Sequence, residues 1–205
     1  MKLQPLMSDT VGRDLTFKVF VYIARLTHVY SFEGSDLSKN SKALSDAMTD
    51  TRMLINLFRV ISSSRDLQKS YLRAVWTPET IANFFSVFFR AFEQISGDLG
   101  YVIRHDMLKV ASLSRERVSW HYKFYKSWSL VLGALASLLS IHKAQRERTA
   151  ESQRRSRSSL VSFIRCCCDM FIYFSWIESY KPNVTIAHLC GLTSGVLGVY
   201  QVVMA

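Results

Sequence analysis

The 23 residues from Asn183 to Ala205 contain no Asp, Glu, Lys or Arg. As an α-helix this run is about 34 Å long, enough to cross a bilayer core of about 30 Å. Within it Gly191, Gly195 and Gly198 recur at close-packing intervals. Gly191-Leu-Thr-Ser-Gly195 is a small-xxx-small pattern, which lets two helix backbones approach closely in lipid. An uncharged run of this length favours a transmembrane helix over a buried helix of a soluble chain.

The rest of the composition points the same way. Hydrophobic residues make up 49% of the 205 and mean hydropathy is +0.09, yet 20% of residues are charged. Some helices should therefore cross a membrane and others lie on one. The net charge of +10 suits anionic headgroups or nucleic acid. No nucleic-acid-binding signature accompanies it, so anionic lipid is the expected partner and nucleic acid is not. Cys166, Cys167 and Cys168 are adjacent and Cys190 lies in the apolar tail, without zinc-ligand or disulfide-framework spacing. They imply a reducing compartment; small apolar residues on a helix are the simpler reading of the triplet, acylation the other. Gln4 and Pro5 interrupt Leu3 and Leu6, so a secretory signal is not expected. Nor is the ending Val203-Met204-Ala205 a peroxisomal matrix address of the Ser-Lys-Leu type.

Prolines occur only at 5, 78 and 182 and β-type alternation is scarce, so an all-α membrane protein is expected. Residues 1–120 read as a helical N-terminal region. A first helix, from a cap at Asp9 or Thr10 to Tyr30, is apolar over most of its circumference. A second, at about 41–61, is amphipathic: Leu44, Ala47, Met48, Leu54, Ile55 and Phe58 on one face, with Lys42, Arg52 and Arg59 among the polar residues. Periodicity alone favours packing of this face in a bundle over membrane insertion. Ser62-Ser63-Ser64 should break the helix, and a shorter one carrying Arg65, Lys69 and Arg73 follows. Thr77-Pro78-Glu79 starts a phenylalanine-rich helix with a capping hydroxyl, proline in the first turn and an acid at the positive dipole end. A second transmembrane candidate covers 121–142, with Trp120, Tyr122, Tyr125 and Trp128 as an interfacial belt. Ser129, Gly133 and Ser137 repeat there every four residues as a second small-residue stripe. Residues 143–159 read as a solvated basic linker. Residues 160–180 are compatible with an interfacial helix, a re-entrant segment or a third span, and 183–205 is the closing span. That makes about two transmembrane helices.

No phosphate-binding loop, metal cluster or nucleophile elbow is present, and His28, His105, His121, His142 and His188 are scattered. Catalysis, a cofactor and a bound metal are not expected.

The stretch Thr10-Val-Gly-Arg-Asp-Leu-Thr-Phe-Lys-Val-Phe-Val-Tyr-Ile-Ala-Arg-Leu26 resembles the opening of the peroxin 11 family of peroxisomal membrane proteins. Gly12, Arg13, Asp14, Lys18, Tyr22, Arg25 and Leu26 fall in register with its Gly-Arg-Asp motif. Leu15 stands where the family usually has lysine and Val21 where it often has glutamine. Arg52-Met-Leu-Ile-Asn-Leu-Phe-Arg59 occupies the place of the family's amphipathic helix, and Gly191 to Gln201 looks like its closing membrane segment.

The resemblance implies a protein that elongates and divides peroxisomes or glycosomes. In the family an amphipathic helix enters the cytosolic leaflet, self-association concentrates the protein and fission machinery then acts. A shallowly buried face around Leu44–Phe58 would widen one leaflet and favour curvature. Each of Lys42, Arg52, Arg59, Arg65, Lys69 and Arg73 would add about 1 kcal/mol against an anionic surface. The glycine stripes would supply homo-oligomerisation. The resemblance thus tips the amphipathic helix toward insertion. It also implies cytosolic termini, leaving 143–159 in the matrix against the positive-inside tendency. The family's other suggested role is a pore for small metabolites, lined here by Arg90, Glu93, Asp98, Arg165 and Asp169.

Overall fold

A computed structural model describes residues 10–72, 75–107, 114–147 and 149–204. These form seven α-helices: α1 Thr10–Tyr30, α2 Asp36–Asn56, α3 Val60–Leu72, α4 Pro78–Arg104, α5 Arg115–Glu147, α6 Ala150–Tyr173 and α7 Val184–Met204. A 3-10 turn, Phe174–Trp176, follows α6, and no strand occurs among the described residues. Asp9, one of the two expected caps of the first helix, lies outside the described residues, as does Arg73.

Three helices are long and apolar enough to cross a membrane: Arg115–Glu147, Ala150–Trp176 and Val184–Met204. The segment 160–180, whose fate the residues left open, thus lies up to Trp176 in a third candidate span. Residues 143–159 are mostly exposed, as expected of a solvated segment, but they are helical rather than a linker. α5 runs to Glu147 and α6 begins at Ala150, so nearly all of it is helical. Thr149 and Ser152 form a reciprocal capping box that starts α6 at once. Arg, Glu, Gln and Ala are also good helix formers, so low hydrophobicity did not mean low helicity.

The chain divides into two compact units, 1–57 with 181–205 and 58–180. In the first, α1 packs against both α2 and α7. Ser35 caps α2 by accepting from Ser38 N–H, after a loop that turns at Gly34 with φ +82°. In the second, α3 packs on α4, α4 on α5 and α5 on α6. Thr77 and Thr80 cap α4 reciprocally, with Pro78 in its first turn as the sequence suggested.

The amphipathic helix expected at 41–61 ends earlier, at Asn56, and α3 starts at Val60, ahead of the triple serine. Phe58 between them adopts φ +62°, a left-handed conformation that costs a non-glycine residue on the order of 1–2 kcal/mol. Its N–H donates to Asp98 Oδ2 at 3.1 Å, which holds the break on α4. Burial pushes the Asp98 carboxyl above its ordinary value, and the bond from Phe58 opposes that rise.

Candidate membrane-contacting surfaces

In the first unit the residues of the N-terminal motif are the joints of the fold. Asp14 accepts from Arg52 Nε at 2.9 Å and from Asn56 Nδ2 at 2.8 Å, which locks α1 to the C-terminal turn of α2. At the other end of the pair His28 Nδ1 lies 2.8 Å from Ser38 Oγ. The two contacts make α1 and α2 an antiparallel hairpin. On its other side α1 meets α7, also antiparallel. Lys18 Nζ donates to Ser194 Oγ at 2.8 Å, and the Tyr22 ring fills the space beside Gly191, where no Cβ could fit. A Cβ on Gly195 would come within 3.0 Å of the Val19 side chain. Gly12 is buried, Arg13 is exposed, and the Arg25 guanidinium lies 5.4 Å from the Tyr22 ring centroid.

α2 has three faces, which follow from the 100° turn per residue. The side toward α1 buries Ser38, Ser41 and Ser45 and carries Arg52 and Asn56 to Asp14. About 120° away, Leu37, Leu44, Ala47 and Leu54 point outward, with Leu44 51% and Leu54 56% exposed. Met48 and Ile55 are half-buried at the edge of that stripe. The third face carries Lys39, Lys42 and Asp46, all exposed. Phe58, expected on the apolar face, stands off the helix beyond its end and is 67% exposed.

Of the cations assigned to headgroups, Lys42 and Arg52 lie in the first unit and Arg59, Arg65 and Lys69 in the second. Arg52 is half-buried and paired with Asp14 because Asp14 faces that turn of α2. Lys42 lies about 160° around the helix from Leu44. Arg59 is half-buried in the break, and Arg65 and Lys69 are exposed on α3.

In the second unit α4 and α5 also run antiparallel. Ser86 Oγ donates to the Ser129 carbonyl at 2.8 Å and Ser129 Oγ returns a bond to the Ser86 carbonyl at 2.9 Å. This reciprocal contact is possible because neither side chain keeps the backbones apart. Farther along, Lys126 Nζ donates to Glu93 Oε1 at 2.7 Å, both largely withdrawn from solvent. A Cβ on Gly133 would lie 3.3 Å from Ser86 Oγ and 3.5 Å from Cys166 Sγ, so this glycine sits where α4, α5 and α6 converge. Ser137 bonds back to the Gly133 carbonyl of its own helix. Gly191 and Gly195 of one stripe, and Ser129 and Gly133 of the other, thus pack helices against one another inside the chain. Of the residues suggested for a pore, Glu93 accepts from Lys126 and Asp98 from the Phe58 N–H, Asp169 is buried, Arg165 half-buried and Arg90 exposed.

The two units share one property that periodicity did not disclose. Among the described residues, fifteen buried side chains are polar or charged, including Ser86, Glu93, Ser127, Ser129, Asp169 and Ser194, against ten hydrophobic ones. The large apolar residues lie outside: Phe20 and Ile23 on α1, Leu44 and Leu54 on α2, Phe85 and Ile95 on α4, Leu135 and Leu138 on α5. Water would favour the opposite distribution. Lipid favours this one, because polar groups must then satisfy one another inside.

A profile of the family "Peroxisomal biogenesis factor 11 (PEX11)" matches residues 2–203. No curated protein and no solved structure matches the chain.

Proposed function

The chain belongs to the peroxisomal biogenesis factor 11 family, proteins of the peroxisomal membrane that act in organelle biogenesis, and from that premise we propose that it shapes this membrane by burying the apolar face of α2 in one leaflet. α1, with α2 on one side and α7 on the other, anchors that face beside a helix able to cross the bilayer. The observation that carries the reading is the orientation of α2: its serines and Arg52 point into the protein, and Leu37, Leu44, Ala47 and Leu54 are left for another solvent. An inclusion that reaches only part-way into one leaflet expands it relative to the other, and the area difference favours elongation and constriction. The glycines being occupied within the chain, association between copies rests on exposed apolar faces such as Phe85 and Phe92 of α4. Division then depends on recruited fission machinery, and the protein itself performs no catalysis.

The test is the full-length chain reconstituted into anionic liposomes, with Leu44→Glu combined with Leu54→Glu. The wild type should draw the vesicles into tubules. The variant should stay helical and membrane-integrated but leave them round, because two carboxylates replace exposed leucines that no interior contact needs. Equal tubulation by both proteins overturns the reading.

A further inference from the structure

We propose that the cleft between the first turns of α5 and the 3-10 turn after α6 binds the phosphate-bearing headgroup of an anionic phospholipid. Its depth in the membrane follows from the register of the two helices. Ser140 pairs with Ser159 and Ser127 with the Tyr173 carbonyl, so α5 and α6 are antiparallel and end together. From Lys123 to His142 α5 rises about 28 Å, close to the thickness of a hydrocarbon core. Lys123 therefore marks one boundary of that core, and the cleft opens just beyond it, at headgroup level.

The lining suits that level. Trp120 and Trp176 meet edge to face at 5.9 Å, two indoles where amphipathic rings favour the lipid–water boundary. Trp176 is fixed there by its Nε1–H, which donates to Ser127 Oγ at 3.1 Å. Arg115 and Lys123 line the same cleft with one carboxylate, Glu116, so the local balance is positive. Arg115 gives one N–H to the Arg104 carbonyl at 3.2 Å, which steadies a guanidinium that has five to offer. Ser119 contributes a hydroxyl. The cavity, about 380 Å³, is of a size to take a polar headgroup. A phosphate alone would use the cations and leave two tryptophans without a role. A phospholipid uses both, with phosphate against Arg115 and Lys123 and glycerol against the indoles.

The experiment titrates phosphatidylglycerol, and phosphatidylcholine as the uncharged comparison, onto the detergent-purified full chain, counting bound lipid by native mass spectrometry. Lys123→Gln combined with Arg115→Gln should weaken phosphatidylglycerol binding by roughly tenfold or more, given the contribution of each cation near an anionic lipid. Arg154→Gln combined with Arg157→Gln, exposed at the opposite end of the helix pair, should leave it unchanged. Lys123→Gln alone, which spares the Arg115–Arg104 contact, should show an intermediate loss and guards against misfolding of the double variant. Equal losses at both ends, or none at the cleft, overturn the proposal. Glycerol 3-phosphate competing at millimolar concentration with the same variant dependence would make this a soluble-anion site and overturn the lipid assignment.

Discussion

Arg52 offers a decisive comparison, because its two roles demand opposite outcomes. If it reaches for headgroups, Arg52→Gln weakens vesicle binding and leaves the fold alone. The structure ties it instead to Asp14, with Nε–Oδ1 at 2.9 Å and side chains 23% and 13% exposed. Two unit charges about 4 Å apart attract by about 4 kcal/mol at an effective dielectric of 20. Desolvation and side-chain ordering remove part of that, and charge-assisted hydrogen bonds retain about 1.5–3 kcal/mol net. Asp14→Asn and Arg52→Gln should each destabilise the α1–α2 hairpin by that order, and the double variant by much less than their sum. The expected coupling is about 2 kcal/mol. The assay is SDS titration of the full chain in mixed micelles, following helix content, beside flotation with anionic vesicles. Additivity within about 0.5 kcal/mol, or lost flotation with unchanged stability, would refute the structural role of the pair.

Three further outcomes follow from the packing. Gly191→Ala places a methyl group against the buried Tyr22 ring, which cannot move away without disturbing His188 and Arg25; stability in the same titration should fall by about 1–3 kcal/mol, and an unchanged midpoint would deny the close approach of α1 to α7. The Asp98 carboxyl is raised from 3.8 by burial, so the folded state holds its proton more tightly than the unfolded one. Stability should therefore fall as pH rises from 3.8 through the raised value, and Asp98→Asn, whose amide oxygen still accepts from Phe58, should flatten that dependence when unfolding is followed against pH. Alkaline carbonate should leave the chain in the membrane pellet, since three helices are able to cross it; release into the supernatant contradicts the embedded state.

Much of this was visible in the residues, and what was hidden has specific causes. The charge-free tail and the Thr77–Pro78 start of α4 each carry a local signature, and each forms an element where the sequence placed it, whereas the motif around Asp14 gave no sign of the joint Asp14 makes with Arg52. The break at Phe58 has none: neither glycine nor proline marks it, and it depends on Asp98, 40 residues away. The face of α2 that meets α1 was equally hard to see. Periodicity shows that Leu44 and Ser45 lie on different sides of a helix, but not which side meets protein. Expecting a water-soluble bundle assigns leucine to the interior; here serine holds that place. The Glu93–Lys126 and Ser86–Ser129 contacts join residues 33 and 43 positions apart, beyond the reach of any local pattern.

The bond from Lys18 to Ser194 spans 176 positions. The pairing of α1 with α7 is therefore a non-local event, which can take place only after α7 has been made and later than the contact of α1 with α2. Closure of so long a loop sets the pace at which this unit folds.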